Sequence, residues 1–191
     1  MRRLREALIA VVVLGTGVAL GTAGTHAAFS SKTDNDGNRL ATGTVTLGHD
    51  ATQRMFSSTG VKGGTALPAR CIVIEYSGTL PATVRIHATA NGALKDHVTM
   101  KVERGTLARD LGGDCTGFVR DSTDHAGLGA GLLANRTLAT FPSGWSAGIA
   151  DPATWTGGTA RAYRFTPTLA DVAAAQGESV AFDVTWEARQ S

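Results

Sequence analysis

Two cysteines, Cys71 and Cys115, stand 44 positions apart, and neither has the C-x-x-C neighbour that a zinc site uses. Lone thiols in an exported chain oxidise, so the pair reads as one disulfide. Metal or nucleophilic chemistry finds less support. His49, His87, His97 and His125 are scattered without ligand spacing, no H-E-x-x-H occurs, and Asp34-Asn35-Asp36-Gly37-Asn38 is too short for a calcium loop and lacks its closing Glu. His87 and His97 could meet across a hairpin, but they read better as polar residues on a solvated face. Ser57, Ser58, Ser77 and Ser143 sit in turn-like settings with no G-x-S-x-G elbow. No catalytic residue, metal ligand or cofactor is therefore assigned, and an enzyme is not expected.

Three other patterns invite chemistry. Leu80-Pro81-Ala82-Thr83-Val84 approaches a sorting signal but ends in Val rather than Gly and lies mid-chain. Asn135-Arg136-Thr137 is a glycosylation sequon by rule, of a kind that arises readily by chance. Trp186 alternates in phase with Val184 and Phe182, which marks it as core. Trp145 and Trp155 fall in loops, where they either stack on a sugar ring as a ligand platform or pack partly buried.

The elements that position these residues are strands. Gly is frequent at 24 residues, and Thr and Val fill stretches that alternate with period two, the pattern of half-buried strands between tight turns. Cys71–Tyr76 is more continuously apolar than its neighbours and reads as a central strand. Thr83–Ala88 follows the turn at Ser77–Pro81, with Val84 and Ile86 inward and Arg85 and His87 outward, and reads as its antiparallel hairpin partner. In His97–Arg104, Val98, Met100 and Val102 point inward and Thr99, Lys101 and Glu103 outward. Gln53–Ser58 and Leu132–Leu138 are further candidates, and Thr137–Ala147 suggests a broken helical turn. Arg161–Leu169 and Glu178–Arg189 close the chain, joined by a short helical crossover that ends at Gly177, suited to a left-handed cap. The sum is an all-β fold, a jelly-roll-like antiparallel β-sandwich of about eight or nine strands.

The front of the chain has a different character. Arg2, Arg3 and Arg5 precede an apolar run of about 14 residues, shorter than the ~17–25 that span a bilayer. Small residues follow, up to Thr25-His26-Ala27. This basic, apolar, small order is that of a signal peptide over residues 1–27, cut between Ala27 and Ala28. An uncleaved signal would be the protein's one tie to a membrane. Residues 28–39 then form a flexible polar arm, with Phe29 and Leu40 as its anchors, and residues 40–191 form the sandwich, whose first strand is Ala41–Leu47. The leader carries three Arg and one Glu, so the 18 basic and 16 acidic residues of the whole chain become 15 of each after the cut. A balanced chain with cations scattered singly argues against nucleic acid, whose binding rests on clustered cations. It leaves self-association unopposed by net charge.

Ala28-Phe29-Ser30, Asn38 and Ala41-Thr42-Gly43-Thr44-Val45-Thr46-Leu47 resemble the signal and amino-terminal signature of the TasA and camelysin family. That resemblance implies a precursor cut by a SipW-type signal peptidase. It also implies a secreted jelly-roll sandwich acting as a fibre subunit or surface component, with an arm able to complete the sheet of a second copy or a related matrix subunit. The remainder, with C-I-V-I-E-Y-S-G-T-L-P-A-T-V, C-T-G-F and W-T followed by Y-R-F-T, resembles a group of actinobacterial-type secreted proteins that carry the same signal. The expected function is thus a non-catalytic cell-surface or biofilm-matrix structural protein. A binding module using the loop tryptophans is the alternative, and a camelysin-like metallopeptidase the distant one.

Overall fold

The computed structural model describes residues 30–34, 39–40, 47–49, 55–108 and 113–191. The strands are β1 (Ser30–Asp34), β2 (Arg39–Leu40), β3 (Leu47–His49), β4 (Arg70–Tyr76), β5 (Ala82–Asn91), β6 (Val98–Thr106), β7 (Val119–Arg120), β8 (Leu132–Thr137), β9 (Ile149–Ala150), β10 (Thr159–Leu169) and β11 (Ala181–Gln190). One sheet runs β2-β1-β11-β5-β9, the other β3-β4-β10-β6-β7 with β8 also on β6, and every pairing is antiparallel. With β2, β3 and β7 set aside, eight strands remain, the two-residue β9 among them. They lie in the order first-eighth-third-sixth in one sheet and second-seventh-fourth-fifth in the other, which is the wiring of a jelly roll.

The core lies between the sheets and follows the alternation. Val84 and Ile86 of β5, Val98, Met100 and Val102 of β6, and Val184, Trp186 and Ala188 of β11 are buried. Trp186 packs edge-on against Phe165, with ring centroids 5.7 Å apart, and tilted against Tyr163 at 5.8 Å. Such aromatic pairs add about 0.5–1.5 kcal/mol each beyond the area they bury. β4 is interior to its sheet, flanked by β3 and β10, in keeping with its continuous apolar run.

Three expectations change, and a fourth is described only in part. β4 and β5 are not a hairpin: the chain arches from one sheet to the other, and Ala82 pairs with Trp155 by backbone hydrogen bonds of 2.8 and 2.9 Å. Period two reports that one face of a strand is buried, and it is the same whether the next strand lies beside it or opposite. Of the candidate Gln53–Ser58, residues 53–54 lie outside the described residues and Met55–Ser58 is no strand: Met55 is buried and Phe56 rests on Phe182 at 5.9 Å. Of the first expected strand, Leu47 begins β3, against β4, while residues 41–46 lie outside the described residues. Finally, residues 30–34, assigned to a flexible arm, form β1 on the chain's own sheet, in register from Ser30 opposite Arg189 to Asp34 opposite Thr185.

Local geometry follows composition where it was distinctive. The stretch before β11 makes one 3-10 turn, Ala173–Ala175, and Gly177 has φ 75°, the left-handed conformation that only Gly adopts without cost. Thr137–Ala147 holds two such turns, Leu138–Thr140 and Trp145–Ala147. At Gly105 a Cβ would stand 2.1 Å from the Val119 carbonyl oxygen, so the close approach of β7 to β6 requires glycine there.

Candidate functional site

Cys71 and Cys115 form the expected disulfide, with Cα atoms 5.1 Å apart. It ties the glycine-rich segment after β6 to β4, helped by a Cys71 N–H bond of 3.1 Å to the Gly113 carbonyl. Ala27, Ala28 and Phe29, the cleavage and arm positions, lie outside the described residues, and Leu40 stands in β2 opposite Lys32. The paired tryptophan platform does not exist. Trp155 is wholly buried between the sheets, because its backbone bridge to Ala82 draws it inward. Trp145 is half-buried on the outer face of the five-stranded sheet, where the Arg85 and Arg189 guanidinium carbons lie 5.1 and 4.5 Å from its ring centroid. Protein cations thus already engage the π surface that a sugar would use.

Beneath that loop the same face holds a second surprise. His87, expected on a solvated face, is buried, and its Nε2 lies 3.3 Å from Oε2 of the buried Glu187. Arg189 donates to Glu187 Oε1 from Nε at 3.0 Å, and Arg85 Nη1 donates to the carbonyls of Trp145 and Ser146 at 3.2 and 3.0 Å. These contacts fasten the 145–147 turn over the sheet and account for the burial. His97 precedes β6 in the opposite sheet, so the two histidines do not meet.

A third cluster plugs one end of the sandwich. Asp151 accepts from Arg104 Nε at 2.7 Å, from the Tyr163 hydroxyl at 2.7 Å and from the Ala153 N–H at 3.0 Å, while Arg104 Nη1 also reaches Asp121, which pairs with His125 at 3.3 Å. Burial and the neighbouring Asp151 charge raise the Tyr163 pKa well above its usual 10.0. Burial opposes the charge on Arg104, but its bonds to Asp151 and Asp121 outweigh that and hold it firmly protonated. Every charge here faces a partner, an arrangement suited to holding β6, β9 and β10 together.

The fourth cluster lies on the outer face of the six-stranded sheet and was not legible in the sequence. Glu103 of β6, expected outward, is only 1% exposed because three cations close over it: Arg164 Nε at 2.8 Å, Lys101 Nζ at 3.3 Å and Arg120 Nη1 at 3.4 Å. Those cations come from β10, β6 and β7, strands joined by no sequence spacing; the outward register of Lys101 beside Glu103 is the sole hint. Burial pushes the Glu103 carboxyl up, yet the hydrogen bonds and charges of Arg164 and Lys101 prevail and lower its pKa. A lowered folded pKa stabilises the protein above the unfolded value of about 4.3 and is lost as pH falls through the folded one. Glu103→Gln should therefore lose less stability than the parent between pH 7 and pH 3 in urea titrations. Equal losses in the two proteins would refute this.

One cleft of about 260 Å³ lies between the end of β5 and the Leu138–Thr140 turn, with Ala88, Leu138 and Phe141 as its floor and Lys95 at its side. Among the described residues no three His, Cys, Asp or Glu side chains gather in a way that could hold a metal ion. The class that fold and geometry define is an all-β jelly-roll sandwich stapled by one disulfide. No family model, curated protein or solved structure matches the chain.

Proposed function

We propose that this is a secreted, non-catalytic structural protein of the cell surface or extracellular matrix, released by a SipW-type signal peptidase and assembled from copies of itself or a related matrix subunit. The observation that carries the reading is the placement of β1. This five-residue strand comes first in the described chain and borders β11 on one side and only the two-residue β2 on the other. Its sequence, S-S-K-T-D, has weak strand preference, so its hold rests on backbone hydrogen bonds that any copy can supply. A β1 that leaves its own sheet uncovers β11 from Thr185 to Arg189, an edge that the same segment of a neighbour can fill in the same register. Assembly is then an exchange of equivalent strands. The buried polar groups support the same reading, since the Asp151 and Glu187 clusters brace strands and the loops over them.

A covalent lock tests it. Asp34 and Thr185 stand opposite each other in register, so Asp34→Cys with Thr185→Cys should fasten β1 to its own β11. Mature protein carrying the lock is expected to stay monomeric by light scattering under conditions where the parent assembles. If locked and parent proteins assemble alike, strand exchange is not the connector.

A further inference from the structure

We propose that Lys101, Arg120 and Arg164 form a docking surface for a linear phosphate-bearing polymer on the outer face of the six-stranded sheet. Charge comes first: among the described residues, three cations meet a single carboxylate, Glu103, an excess of two positive charges at one spot. Asp121, which follows Arg120, gives no relief there, because Arg104 and His125 already take its carboxylate. Neutralising a buried Glu103 would need one partner, so the surplus is open to an anion from outside.

The donors also point outward. Glu103 takes only Nε of Arg164, Nη1 of Arg120 and Nζ of Lys101, so both Nη groups of Arg164 and the Nε and Nη2 of Arg120 have no partner among the described residues. The side chains keep exposures of 40% for Lys101, 50% for Arg120 and 29% for Arg164. The ring of Phe118 lies 4.7 Å from the Arg164 guanidinium carbon and holds it in place. Gly105 does the same for Arg120 by letting β7 close onto β6. A guanidinium fixed on its inner edge and free on its outer one is preorganised for the paired oxygens of a phosphate.

The shape of the surface selects the ligand. The cations sit on an open sheet face with no walls, where a single small anion is screened and held weakly. A polymer engages all three together, and each phosphate bound raises the effective concentration of the next. β10, β6 and β7 are adjacent strands about 4.8 Å apart, a width that suits one chain of phosphates better than the two backbones of a duplex.

Fluorescence anisotropy of end-labelled inorganic polyphosphate, titrated with the mature protein at several salt concentrations, tests this. Lys101→Gln with Arg120→Gln changes two exposed side chains, and Lys62→Gln with Lys95→Gln removes the same charge elsewhere as a control. The first variant should bind about tenfold or more weakly at low salt, with a log K against log salt slope shallower by ~0.7 for each phosphate that is no longer neutralised. The control should match the parent, and circular dichroism should show both folded. The proposal is overturned by a parent that does not bind, by an equal loss in the control, or by tighter binding of polyglutamate or duplex DNA than of polyphosphate.

Discussion

Asp151→Ala is expected to destabilise the sandwich by about 3–5 kcal/mol, the cost of leaving a buried charge without its partner. Among the described residues, Arg104, 6% exposed, would keep only Asp121, and the wholly buried Tyr163 hydroxyl would lose its sole acceptor. Breaking one partner is worse than removing both. Arg104→Met combined with Asp151→Leu should therefore recover much of the loss in urea unfolding, although Asp121 and Tyr163 keep it from being neutral. The same cluster sets an alkaline limit. The folded Tyr163 stays protonated above its ordinary pKa, so its contribution is intact below about pH 10 and declines as the unfolded chain ionises. A single-variant loss under about 1 kcal/mol would mean that water relieves the orphaned guanidinium, and the plug would not be a structural element.

Removing the staple should cost nearly as much. Cys71→Ala with Cys115→Ala opens a loop of 44 residues, for which the chain-entropy model gives about 4 kcal/mol. The effect falls mainly on the unfolded state, which becomes less constrained and exposes more surface. The urea slope should rise while the midpoint falls. The unfolding rate of the folded protein is the more telling quantity for its architecture, because the staple holds the 113–118 segment whose Phe118 steadies Arg164. A midpoint unchanged within error would show that β4 and this segment are held by packing alone.

What the sequence determined by itself was whatever one strand or one pair of residues can express. Alternation in Val84–Ile86, Val98–Val102 and Val184–Trp186 reports a face turned to the core, and it did so correctly because a strand's period is local. Two lone cysteines have only each other as partners, so the disulfide was legible as well. Gly177 marked its left-handed turn by lacking a Cβ. Tertiary structure alone decided which strand lies beside which: β4 and β5, adjacent in sequence, went to opposite sheets, and the polar stretch at residues 30–34 became β1 by borrowing the edge of β11. It also decided which polar residues are buried. Glu103 and His87 occupy outward positions by period, but burial there depends on what the rest of the chain lays over that face: Arg164, Lys101 and Arg120 in one case, the Trp145 loop in the other. Trp155 went inward for the converse reason, a backbone bridge to a strand far away in the chain. Cations scattered singly along the sequence met above one carboxylate for the same cause, since sheet pairing brings residues together by register, and register between distant strands is not written in any short stretch.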